Sequence, residues 1–230
     1  MISKLIDAEK AIEGIKDGAT IMVGGFLGTG SPEILIDALV KKGVKNLTVI
    51  GNDGGLPAGT YGCETARGIG KLIEAGMVKH IIASHVGMNP LIGKGMNDGT
   101  LECTLVPQGT LAEVIRAAGA GLGGVLTPTG VGTIIAEGKE VLEIDGKEYL
   151  LEKPLKADFA LVRASECDEF GNFRCNLATK NFNTVMATAA ETVIVASEVV
   201  NKVGEKEPDT YQMSGVYVDY VVGGEKVWQI

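Results

Sequence analysis

Asp17-Gly-Ala-Thr-Ile-Met-Val-Gly-Gly-Phe-Leu-Gly-Thr-Gly-Ser-Pro32 reads as a strand, a glycine turn and the start of a helix. Ala19 to Val23 is an apolar run that suits a buried strand. Gly24, Gly25, Gly28 and Gly30 allow positive φ and let a ligand approach the backbone. Ser31 is a plausible N-cap, with Pro32 in the first helical position. The free amides at that helix start favour an anion. The spacing Gly-Gly-x-x-Gly-x-Gly differs from the Gly-x-Gly-x-x-Gly of dinucleotide sites, and no Lys-Ser/Thr pair follows as in phosphate-loop NTPases. A tight turn without a ligand is the plain structural alternative.

The same alternation of strand and helix continues outward. Upstream, Asp7 to Lys16 is predicted as a helix, with Asp7 as N-cap and Ala8, Ala11, Ile12 and Ile15 on one face. Downstream, the helix opened by Ser31-Pro32 presents Ile34, Leu35, Ala38 and Leu39 and stops at Gly43. Asn46 to Gly51, Val78 to Ala83 and Leu101 to Val106 are predicted strands, separated by helices around Arg67 to Ala75 and Gly93 to Met96. Thr110 to Ala117 is predicted as a helix, with Thr110 and Glu113 forming a capping box. Gly119 to Gly132 is a glycine-rich loop, and Glu140 to Glu152 is a hairpin turning on Asp145-Gly146. Phe159 to Ala164 and Thr192 to Ser197 are further strands, Asp168 to Gly171 is a turn, and Asn183 to Ala190 is a helix. The stretch Val216 to Trp228 has β-rich composition. The pattern predicts an α/β protein with an open, largely parallel sheet flanked by helices, in one domain spanning 1–230. Ligands in such sheets sit beyond the carboxyl ends of strands. Gly24–Gly30, Asn52–Gly55 and Val106–Gly109 all fall there and point to one shared site.

Composition narrows the function. With 230 residues, 45% apolar and 22% charged, the chain is long enough for one sizeable core. A net charge of −8 without a Lys/Arg-rich run argues against nucleic acid. No apolar run reaches membrane-spanning length, and the start Met1-Ile-Ser-Lys-Leu-Ile-Asp7 lacks a signal peptide's apolar core, so a cytoplasmic protein is expected. Cys63, Cys103, Cys167 and Cys175 form no CxxC pair, and with only His80 and His85 no metal-site spacing arises. The cysteines read as reduced, mostly buried thiols, with a catalytic cysteine as the alternative.

The segment Asp17 to Pro32 also resembles the signature of family I CoA-transferases: acidic residue, glycine, apolar strand, Gly-Gly-Phe, three residues, glycine, one residue, proline. Asp17, Gly18, Ile21 to Val23, Gly24, Gly25, Phe26, Gly30 and Pro32 fit it. Val106-Pro-Gln-Gly-Thr-Leu-Ala-Glu113, Gly119 to Thr133, Ala136-Glu-Gly-Lys139 and Lys180-Asn-Phe-Asn183 look like later motifs of the same subunit. The likeness runs in order along nearly the whole chain and is to the A (alpha) subunits of the bacterial acetate or acetoacetate (3-oxoacid) type.

The resemblance implies a ping-pong exchange of CoA between a short-chain acyl-CoA and a free carboxylate, with coenzyme A as substrate and no tightly bound cofactor. It places the nucleophilic glutamate in a partner B (beta) subunit, in a Ser-Glu-Asn/Glu-x-Gly context, and suggests two copies of each subunit. This chain has no such motif; Glu166 and Glu198, in Ser165-Glu-Cys-Asp and Ser197-Glu-Val-Val, read as ordinary surface residues. Gly24, Gly25, Phe26, Leu27, Gly28, Thr29 and Gly30 are then implied to form a CoA-contacting loop. Asn52 and Gln108 match polar residues near the acyl carboxylate, with Asp53 the alternative occupant of the first position. Neutral amides suit that task, since they bond an oxyanion without burying a fixed charge. His85 reads as a structural histidine, and Arg163 and Arg174 as solvated or structurally paired. A stand-alone acyl-CoA or nucleotide sensor and a sugar-phosphate isomerase are the other readings; the isomerase would need its own general base.

Overall fold

In the computed structural model, which describes residues 3–226, the element order is α1 (Ala8–Ala11), β1 (Thr20–Val23), α2 (Glu33–Lys42), β2 (Leu47–Asp53), α3 (Ile69–Glu74), β3 (Val78–His85), α4 (Pro90–Asp98), β4 (Glu102–Leu105), α5 (Gln108–Gly119), β5 (Val125–Thr127), β6 (Val141–Ile144), β7 (Lys147–Glu152), β8 (Ala157–Asp168), β9 (Phe173–Arg174), α6 (Asn183–Met186), β10 (Ala190–Asn201) and β11 (Tyr220–Gly223). The main sheet runs β11-β10-β8-β1-β2-β3-β4 with every pair parallel, and β9 adds antiparallel to β8. A separate antiparallel sheet, β5-β7-β6, carries the predicted hairpin. Val227 and Trp228, the end of the stretch predicted as β-rich, lie outside the described residues, as do Gln229, Ile230 and the opening Met1-Ile2.

Strand alternation divides the core into two layers. Ile21, Val49, Ile81, Leu161 and Ile194 face α1 to α4 on one side. Met22, Ile50, Ala160, Val162, Val193 and Val195 face α5 and α6 on the other. Successive strands share this parity because side chains alternate across a pleated sheet. The chain winds outward from β1 through β2, β3 and β4, then returns over the opposite face to β8, β10 and β11. The order therefore reverses between β1 and β8, and in open α/β sheets ligands bind at such a reversal, beyond the carboxyl ends of the strands.

Several predicted boundaries move for identifiable reasons. The first helix is one turn long, not ten residues. Lys42 Nζ donates to the carbonyls of Ile12, Glu13 and Ile15 at 2.9, 2.6 and 2.6 Å, holding them away from helical partners. Thr110 does not cap a helix: α5 starts at Gln108 behind Pro107, Thr110 lies inside its first turn, and Glu113 pairs with Arg116 instead. Helix α2 begins at Glu33 with Pro32 at the cap position, one residue later than predicted. The loop predicted over Gly119 to Gly132 contains the short strand β5.

Candidate active site

Because β1, β2 and β4 are mutually parallel through β3, the three loops singled out in the sequence leave the same edge of the sheet. The turn after β1 is a two-residue hairpin. Phe26 and Thr29 exchange N–H···O bonds at 2.9 Å in both directions. Leu27 and Gly28 between them have φ of 48° and 82°, as a type I′ turn requires. A leucine in this region costs roughly 1–2 kcal/mol, and the loop is pinned there: Leu27 N–H donates to Asp53 Oδ2 at 2.8 Å. Phe26 is left 43% exposed at the tip.

The base of the loop is clamped by the Lys180-Asn-Phe-Asn183 motif. Asn181 accepts from Gly25 N–H at 3.2 Å and donates to Thr29 O at 2.9 Å. Asn183 donates to Gly30 O at 2.9 Å and accepts from Arg163 N–H at 2.8 Å. A Cβ on Gly24 would stand 1.9 Å from Asn183 Oδ1, so glycine there makes room for the clamp. The amides of Gly28 and Gly30 have no acceptor among the described residues.

The start of α2 is not the open anion site expected from the sequence. Glu225 Oε2 accepts from Ile34 N–H at 3.0 Å and occupies that position. Burial pushes the Glu225 carboxyl up, against the bond from Ile34 and the charge of Arg163. Arg163 is 1% exposed; it donates to Glu198 Oε1 at 3.2 and 2.6 Å, to Ser31 O at 3.3 Å and to Lys226 O. Glu198 is therefore not a surface residue. Nor is Glu166, which is buried between Arg174, at 2.6 Å, Asn201, at 2.7 Å, and Lys206. Burial opposes its ionisation, but the bonds from Asn201 and Arg174 outweigh it and hold the carboxyl below its ordinary value.

Asn52 and Gln108, far apart in sequence, meet. Gln108 Nε2 donates to Asn52 Oδ1 at 2.6 Å. Strand β2 runs on through Asn52 and Asp53 rather than ending before them, because its pairing with β3 continues to Asp53 opposite His85. Asn52 is 2% exposed. Its Nδ2 donates to Asp53 Oδ2 at 3.0 Å, and Ser84 Oγ donates to its carbonyl at 2.7 Å. Asp53 Oδ1 also accepts from Gly55 N–H at 2.8 Å. Gln108 itself is exposed at the start of α5, a helix end without a side-chain cap. Its outer amide face and the first α5 amides are neutral donors of the kind that suit a carboxylate or a developing oxyanion. Asp53, the alternative occupant of the Asn52 position, stands beside Asn52 and accepts from its Nδ2, whereas Asn181 and Asn183 carry no individual role in the sequence beyond the Lys180-Asn-Phe-Asn183 motif that holds them.

His85, read as a structural histidine, is instead exposed at the end of β3 and has no side-chain partner among the described residues. The cysteines are free, and all but Cys103 are buried. Burial pushes Cys167 and Cys175 up to about 12, so neither is an activated thiol.

Comparison with known proteins gives the class. The coenzyme A transferase model matches residues 5–224, and the chain belongs to that family. It is 47% identical over 222 residues to the acetate CoA-transferase subunit alpha of Escherichia coli K12, covering 96% of this chain and 97% of that one. It is 50% identical over 222 residues to the acetoacetyl-CoA:acetate/butyrate CoA transferase alpha subunit of Clostridium acetobutylicum, covering 96% and 98%. Among solved structures, an acyl-CoA transferase from Escherichia coli O157:H7, a thioester complex with CoA, superposes with TM-score 0.83 at 27% identity over 96% of this chain. This chain spans 47% of that longer one. Glutaconate coenzyme A-transferase from Acidaminococcus fermentans, at 20% identity, TM-score 0.81, covering 96% of this chain and 75% of its own, shares the fold.

Proposed function

We propose that this chain is the A subunit of a two-subunit enzyme that moves CoA between a short-chain acyl-CoA and a free carboxylate such as acetate, butyrate or acetoacetate. A B subunit supplies the glutamate nucleophile. The observation that carries this reading is the pair Asn52–Gln108, which sets an exposed amide beside the glycine hairpin while the chain's own buried carboxylates are tied up. Asp53 accepts three hydrogen bonds, and Glu166 and Glu198 sit in ion pairs. The relatives named as alpha subunits support a second chain.

In this mechanism the partner's glutamate oxygen attacks the thioester carbonyl carbon and expels CoA thiolate, leaving an acyl–glutamyl anhydride. The thiolate attacks the glutamyl carbonyl, releasing the first carboxylate and forming a glutamyl–CoA thioester. The second carboxylate reverses both steps. Dividing the exchange lowers each barrier. This chain's part is to hold the acyl group with Gln108 and to contact CoA with Gly24–Gly30. The unpaired cysteines suit a reducing compartment.

The test is reconstitution. This chain, its B subunit and their mixture are each given acetoacetyl-CoA and acetate, and acetyl-CoA is quantified. Transfer is expected from the mixture alone. Full turnover by this chain alone would refute the reading, and so would a stable, complete binding protein whose B subunit adds nothing.

A further inference from the structure

We propose that Asp53 is a positioning residue that sets, at once, the tip of the glycine hairpin and the direction in which Gln108 presents its amide. The proposal rests on the reading of Gln108 given above and adds to it what holds that residue.

An ionised carboxylate only accepts hydrogen bonds. Asp53 faces donors on every side: Leu27 N–H at 2.8 Å and Asn52 Nδ2 at 3.0 Å on Oδ2, and Gly55 N–H at 2.8 Å on Oδ1. Two of these are backbone groups that cannot reverse. Asn52 must therefore turn its NH2 to Asp53, which turns its Oδ1 to Gln108. Gln108 must in turn offer Nε2–H inward, at 2.6 Å. Its second Nε2–H and its Oε1 are then left for the outer face in a fixed arrangement. A flip of either amide would set donor against donor or acceptor against acceptor. Asn52 and Asp53 are buried, so water cannot readily repair such a mismatch, and unmade bonds there are costly. The same carboxylate holds Leu27 at φ 48°. One charge thus serves both the acyl end and the CoA end of the site.

The test is a double-mutant cycle in the reconstituted complex, with kcat and the KM for acyl-CoA measured separately. Asp53→Ala is expected to lower kcat about tenfold and to raise that KM, since Leu27 is also released. In the Gln108→Ala background Asp53→Ala is expected to cost less than about twofold more in kcat, because the group it orients is gone. Asn52→Ala cuts the path to Gln108 and leaves the Leu27 and Gly55 bonds in place. It is expected to reproduce the kcat loss and its dependence on Gln108 without the change in KM, and it carries the test if Asp53→Ala fails to assemble. Multiplying effects of Asp53→Ala or Asn52→Ala with Gln108→Ala would overturn the proposal while leaving the role of Gln108 intact. Normal kinetics in Gln108→Ala would overturn both.

Discussion

Gln108 Nε2 lies 2.6 Å from Asn52 Oδ1, a hydrogen bond between the end of the second strand and the start of the fifth helix, 56 residues apart. Neither residue gains from it as an isolated surface contact. It matters because Asn52 is buried and hydrogen-bonded to Asp53 and Ser84 whereas Gln108 is exposed, so an adaptable side chain is held in one pose at the mouth of the site. Preorganised donors of this kind cost no reorganisation when charge develops.

Gln108→Ala should lower kcat by about ten- to a thousandfold, the scale of one lost oxyanion-type donor. Steady-state kinetics separate the roles. A fall in kcat marks a bond that strengthens in the transition state, and a rise in KM alone marks uniform binding. If neither changes, Gln108 is only the first residue of a helix.

Gly28→Val should reduce activity by about a hundredfold, as expected when a reacting group is displaced by about 1 Å. Gly28 has φ 82° between Leu27 and Thr29, and a β-branched residue is strained there. Far-UV circular dichroism should remain that of the parent, because the hairpin lies outside the two core layers. Unchanged kinetics with acyl-CoA would remove the hairpin from the CoA site.

Glu166→Gln gives a pH-dependent effect of defined sign. The carboxyl is held below its ordinary value of 4.5, so its ionisation favours the folded state. That stability is present above pH 4.5 and is lost as pH falls through the lower folded value. At pH 7 the substitution should destabilise by about 1–3 kcal/mol, as loss of a charged hydrogen-bond partner does. The gap in thermal midpoint between variant and parent should shrink progressively below pH 4.5. A gap that stayed constant to pH 3 would contradict the ion-pair account.

What the sequence made legible was mostly local. Apolar runs placed the strands of the main sheet. Asp145-Gly146 announced its hairpin, and both residues have positive φ, 52° and 74°, as a type I′ turn demands. Convergence of the three loops was legible too, because parallel strands put their carboxyl ends on one edge. What escaped was non-local. Nothing near Ser31 shows that Glu225, 191 residues from Ile34, fills the start of α2. Nothing near Ile12 shows that Lys42 ends the first helix. Glu166 and Glu198 look like surface residues until the sheet carries them beside Arg174 and Arg163. Asp53 drew notice only as a neighbour of Asn52, since a hub of hydrogen bonds leaves no periodic trace.

The most direct measurement is the intact mass of each chain after the purified complex meets acyl-CoA with no acceptor carboxylate. Ping-pong transfer needs a covalent acceptor, and the carboxylates of this chain at the site and in its core are held in hydrogen bonds and ion pairs. The account predicts a CoA-sized increase on the B subunit, reversed when acetate is added, and an unchanged mass for this chain. A stoichiometric adduct on Glu166, Glu198 or any cysteine of this chain would contradict it.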